Sequence, residues 1–192
     1  SNDNLEAIRA LDPKAAPGVK VFMGASTGNM LVDNPETLDG IFRDTPVPII
    51  THCEDTPMID ANHEKAREKY GEDIPAWEHP HIRSREACIK STRLAISLAK
   101  KHDTRLHVLH ISTADELALF EPGPIEGKRI TAETCVHFLH FGDADYAVVR
   151  ADVGAHAASA GLARDRCDDL VLAVHEVAVN SERLVTPLGG AD

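Results

Sequence analysis

With 192 residues, 43% apolar content and a formal charge of −11, the chain has enough apolar sequence to bury a core. It carries no basic stripe, which argues against a phosphate-backbone partner. No apolar run approaches the roughly 20 residues that a membrane-spanning helix needs. Four cysteines, Cys53, Cys88, Cys135 and Cys167, are scattered without a C-x-x-C pair. That spacing fits a reducing cytoplasm and not a disulfide framework. The opening Ser1-Asn2-Asp3-Asn4 is neither a signal peptide nor a methionine start, and reads as part of something longer.

In chain order, Leu5, Ile8, Ala10 and Leu11 predict a short helix that stops near Pro13 and Pro17. Residues 18–24 read as a strand, followed by the loop Ala25-Ser26-Thr27-Gly28-Asn29. Asn34 reads as the N-cap, and Pro35 as the first position, of a helix to Phe42. A strand is expected at 47–52, and a charged helix from Thr56 to Tyr70 that Gly71 ends. Ala87, Ile89, Leu94, Ala95 and Leu98 mark a longer helix from Arg83 to His102. A strand at 105–112, a helix from Thr113 to Phe120 and a strand around 129–135 complete the pattern.

Strand and helix alternate four times, which indicates parallel βαβ units in an α/β fold. Periodicity alone leaves a closed barrel and an open doubly wound sheet equally available. Both keep ligand sites at the C-terminal ends of their strands. Composition changes near residue 150: every aromatic residue precedes it, and residues 151–192 hold no Lys and no Ile. A domain junction is expected there, with a partial barrel over 1–148 and an Ala-rich helical tail over 149–192, its one clear helix running from about Asp165 to Leu184.

The chemistry-bearing residues sit at strand positions. Lys20 lies inside the apolar run Gly18-Val19-Lys20-Val21-Phe22-Met23-Gly24, a strand expected to be buried on both faces, where an unpaired ammonium is costly. Two further strand-like runs end in histidine, at His52 and at His110. Alternation puts His110 on the face of Val108 and His107 on the face of Leu109, so the two cannot serve one site. His110, nearer the strand's C-terminal end, is the better ligand candidate. Imidazoles suit zinc and similar ions. A buried lysine with a lowered pKa can capture carbon dioxide as a carboxylate-like carbamate able to bridge two cations. Such a centre activates water and polarises a carbonyl, the chemistry of amide hydrolysis. No residue stands out as the proton shuttle. Glu133, near the end of the fourth strand, reads as a supporting or structural acid rather than a general base.

Gly18 to Asp33, Thr51-His52-Cys53-Glu54, Leu106-His107-Val108-Leu109-His110-Ile111-Ser112-Thr113 and Thr131-Ala132-Glu133-Thr134-Cys135-Val136-His137 together resemble dihydroorotase. More broadly they are similar to the cyclic amidohydrolases, which include dihydropyrimidinase, hydantoinase and allantoinase. The resemblance covers roughly residues 1–148. It implies a distorted (β/α)8 barrel, of which this chain holds about four βα units, and a binuclear Zn2+ centre. Lys20 falls on the bridging carbamylated lysine, and His52 and His110 on the histidine ligands of one metal. The implied substrate is a small cyclic amide: dihydroorotate, formed from N-carbamoyl-L-aspartate in pyrimidine biosynthesis, or alternatively a hydantoinase- or allantoinase-type amide. The family's opening H-x-H pair and its closing aspartate have no counterpart here, so the chain is expected to be inactive alone, with at most weak metal binding. Half a barrel would also leave open sheet edges and an uncovered apolar face. An acidic substrate would need a cation, for which Arg83, Arg85 and Arg105 are candidates.

The tail segment Asp168 to Arg183 resembles the first conserved helix of anti-sigma-factor kinases in the histidine-kinase-like ATPase family. Glu176 and Asn180, four apart, share a helix face there. A non-catalytic module that binds a nucleotide or a partner protein is therefore the expectation of a different class.

Overall fold

The computed structural model describes residues 1–136 apart from Ala25, Thr27 and Gly28. The expected junction near residue 150 and the tail residues Glu176 and Asn180 lie outside the described residues. The described elements are helix α1 (Leu5–Arg9), strand β1 (Val19–Phe22), helix α2 (Pro35–Asp44), strand β2 (Ile49–His52) and helix α3 (Thr56–Tyr70). A single turn at Ala76–Glu78 leads to α4 (His79–Ile82), α5 (Arg85–His102), β3 (Leu106–Val108), α6 (Ala114–Leu117) and β4 (Ile130–Ala132).

Local chemistry sets the helix ends. The Asn34 side chain accepts from the Thr37 amide at 2.8 Å, and Pro35 follows it, as expected from the sequence. Asp55 caps α3 by accepting from the Met58 amide at 3.0 Å, and Gly71 ends that helix at φ +68°. The helix expected from Arg83 begins two residues later. Ser84 is extended and its side chain accepts from the Ala87 amide, which makes it the N-cap of α5 and leaves Arg83 in the connection from α4. The helix expected over Thr113–Phe120 is confined to Ala114–Leu117, with Thr113 as its cap.

All four strands are parallel and stand in sequence order, β1-β2-β3-β4. A doubly wound sheet reverses its order at a switch point, and this one does not. The register runs in phase: Lys20 opposite Ile50, His107 and Thr131, and Val21 opposite Thr51, Val108 and Ala132. Paired residues share a face, so each row lies on one side of the sheet.

One side is packed. Val21, Ile49, Leu106 and Val108 join Leu38, Ile41 and Phe42 of α2, Ala95, Ile96 and Ala99 of α5, and Ile8 of α1 in a continuous core. Fully burying each of these larger side chains contributes about 1.5–3 kcal/mol. Among the described residues no helix packs on the other side. Lys20 is exposed, and Phe22, Ile50, His52, His107 and Thr131 are half-buried. The expectation that β1 is buried on both faces therefore fails for Lys20, because the described helices lie against the other face. The uncovered face is also more polar than expected. In a closed barrel such a face lines the interior. Among the described residues no helix is long and apolar enough to cross a membrane.

Candidate metal centre at the strand ends

Lys20 and His52 reach the uncovered face by simple alternation: Lys20 precedes Phe22 by two residues, and Phe22 is the register partner of His52. The Lys20 amine sits 4.7 Å from the centre of the Phe22 ring. Although the residue is exposed, partial desolvation of the amine pulls its pKa below the ordinary lysine value, offset in part by Cys53 and the Glu133 carboxylate.

His110 arrives differently. Continued alternation would keep it on the face of Val108, as expected from the sequence, and that face is the packed one. Instead β3 ends at Val108, and His110 takes φ +38°, a left-handed conformation rare for a residue with a side chain. That turn brings its Nε2 to 3.0 Å from His52 Nδ1, with the ring centroids 4.9 Å apart. Backbone strain of this kind is stored where the surroundings hold it, and it clusters at functional sites. Burial lowers the His110 pKa, and the neighbouring His52 and Lys20 lower it further, so the neutral ring is favoured. His52 and His110 therefore meet, and Lys20 stands on the same face over the Phe22 ring, whose centre is 6.2 Å from that of His52.

A carboxylate that the sequence reading left unassigned holds His52 from behind. Glu54 Oε2 lies 2.8 Å from His52 Nε2, and Arg83 Nε donates to Glu54 Oε1 at 2.9 Å. Arg83 Nη2 also pairs with Glu54 Oε2, so the guanidinium grips both oxygens. Burial pushes the Glu54 carboxyl up, but the hydrogen bonds from His52 and Arg83 outweigh it and hold the group at about 2. Glu54 stands two residues beyond His52, and strand alternation continued past the end of β2 would have placed it on the same side. Of the three candidate cations, Arg83 is the one at this site, and it is engaged by Glu54. Arg85 pairs with Asp115 at 2.6 Å, and Arg105 precedes β3 at the opposite end of the sheet.

His107 lies on the open face and is occupied elsewhere: Nδ1 is 2.8 Å from Thr131 Oγ1 and Nε2 is 3.3 Å from Glu133 Oε2. Glu133 thus meets His107, which is not one of the candidate ligands. The Cys53 thiol, pushed up to about 11 by burial, is inert as a nucleophile at neutral pH.

Nitrogens bound tetrahedrally to one zinc at about 2.0–2.1 Å stand roughly 3.3 Å apart. The His52–His110 separation is close to that, so the pair fits two positions of a zinc site. It does not complete one. Among the described residues no group of three or more His, Cys, Asp or Glu side chains is placed to hold a metal ion.

The chain is 32% identical over 145 residues to an allantoinase from Streptomyces avermitilis, which covers 71% of this chain and 30% of that protein. It is 28% identical over 153 residues to an allantoinase from Escherichia coli, with 71% and 31% covered. Among solved structures, an L-hydantoinase (dihydropyrimidinase) from Arthrobacter aurescens matches with TM-score 0.64 and 25% identity, over 74% of this chain and 32% of its own. The fold is that of an amidohydrolase barrel in part. A dihydropyrimidinase from Brevibacillus agri gives TM-score 0.61 and 26% identity, over 76% and 32% of the two chains. No family model matches the chain. The amidohydrolase match spans about a third of the length of these relatives. Their names are those of the allantoinase and hydantoinase alternative, and not of the dihydroorotase that the motifs resemble.

Proposed function

We propose that this chain carries the histidine pair and bridging lysine of a zinc-dependent cyclic amidohydrolase of the allantoinase–hydantoinase type. The observation that carries the reading is the convergence of His52 Nδ1 and His110 Nε2 to 3.0 Å on the face that also bears Lys20. His52 and His110 would hold one ion, and Lys20, as its carbamate, would bridge to a second. When bound, the metal pair supplies Lewis acidity toward a ring carbonyl and activation of water. The chain's own residues position it: Glu54 holds the His52 ring, the left-handed turn at His110 aims its ring, and Phe22 lies beside both the Lys20 amine and His52.

Among the described residues two imidazoles and one lysine make a partial site, so the expected outcome is weak zinc binding and no turnover of allantoin, hydantoin, dihydropyrimidine or dihydroorotate by the 192-residue chain. Dihydroorotate belongs in the assay because the segment Gly18–Asp33 resembles dihydroorotase. Zinc titration by calorimetry checks this: His52→Ala and His110→Ala each lower affinity at least about tenfold. Zinc binding unchanged in both variants rejects the metal reading, and full turnover of any of the four substrates rejects the partial-site argument.

A further inference from the structure

We propose that Glu54, clamped by Arg83, is a positioning residue that keeps the proton of the His52 ring on Nε2 and presents Nδ1 as the nitrogen facing His110 and any cation between them. The inference rests on the reading of His52 and His110 as ligands, and it adds the group that decides which atom of His52 is available.

The argument is geometric. A neutral imidazole has one donor and one acceptor nitrogen, and the partner of one determines the role of the other. Glu54 accepts from Arg83 at both oxygens, which is the pairing of an ionised carboxylate and leaves it only acceptor capacity. The nitrogen 2.8 Å from it, Nε2, must therefore carry hydrogen. The lone pair of His52 then lies on Nδ1, the atom 3.0 Å from His110 Nε2.

Glu54 is itself fixed on several sides. Its side chain is 8% exposed, and Arg83 holds it from the connection between α4 and α5. Its backbone carbonyl packs against Gly24 at the end of β1, where a Cβ would overlap it. A carboxylate that merely satisfied Arg83 would have no need to meet His52 at hydrogen-bond distance. Carboxylates placed behind a ligating histidine orient the ring and raise its basicity, and their loss typically costs 10- to 100-fold in metal affinity.

Nitrogen-15 NMR of the metal-free 192-residue chain above pH 8 tests the inference without any variant. The expected result is a His52 ring protonated on Nε2, with a downfield, slowly exchanging Nε2–H proton. Protonation on Nδ1 overturns the inference. In Glu54→Ala the protected proton disappears and affinity for zinc, added as the metal alone, falls 10- to 100-fold. Glu54→Gln retains an acceptor oxygen, so it keeps the Nε2–H signal and loses less affinity than Glu54→Ala. If wild type binds zinc through His52 and Glu54→Ala binds it equally well, the positioning role is overturned while the ligand reading stands. If wild type shows the Nε2–H signal yet binds no zinc, the ligand reading fails and takes the positioning role with it.

Discussion

The two faces of the sheet are made from alternate residues of the same strands, yet they do opposite work. On the packed face, Val21, Ile49, Leu106 and Val108 meet α2 and α5 with almost no exposure and carry the stability of the fold. On the open face, Lys20 is exposed and His52, His107 and Thr131 are half-buried, in hydrogen-bonding distance of other polar groups or over a ring, and this face bears the candidate ligands Lys20 and His52. Core packing and the candidate site are thus separated by a single residue step along each strand.

The sharpest test of that separation compares neighbours. Ile49 is fully buried and Ile50 half-buried on the opposite face. Ile49→Ala is expected to cost about 2–5 kcal/mol, and Ile50→Ala less than about 1.5 kcal/mol. Urea denaturation of both variants measures the gap, and equal costs would mean that the open face is covered in solution. A smaller effect is expected where the faces meet the loops. Gly24→Ala places a methyl against the Glu54 carbonyl, and the resulting shift is expected to cost about 1–3 kcal/mol. Its second signature is a weakened Glu54–His52 hydrogen bond, read as faster exchange of the His52 ring proton.

The smallest expected effect concerns a polar group on the packed side. Burial raises the Glu116 carboxyl above its ordinary value of 4.5, against hydroxyl donation from Thr92 at 2.6 Å and Thr113 at 2.9 Å. A folded-state pKa above the unfolded value contributes stability that is complete below the unfolded pKa and is lost as pH rises through the folded one. Wild type should therefore lose stability upward from about pH 4.5 relative to Glu116→Gln, which is flat across the same window. Thermal midpoints of both proteins between pH 4 and 8 check it, and parallel curves would show that Glu116 is as solvated folded as unfolded.

Much of this was legible in the residues. Asn34-Pro35 and Gly71 state the helix ends because caps and left-handed glycines act within a few residues. Lys20 and His52 were legible as site candidates because two-residue alternation holds inside a strand. His110 was selected for its place near the strand end, but alternation gave it the wrong face, since a left-handed residue after Val108 breaks the period. Glu54 was visible in the sequence and still unassigned, because its partner Arg83 lies 29 residues away. The double burial expected for β1 failed for the same kind of reason: hydrophobicity marks a strand as packable, and not how many layers pack on it.

By itself the sequence determined the order of the strands and the longer helices, the helix ends at Asn34 and Gly71, and the residue types available at each strand end. These depend on local sterics and hydrogen bonds, which act over a few positions. Tertiary structure alone decided that the strands lie side by side without reversal, that one face stays open, and that His52, His110, Glu54 and Arg83 form a single chain of contacts. These facts, the open face being that of the described residues, follow from register and from packing between distant segments, where the free energy of burial, and not local propensity, selects the arrangement.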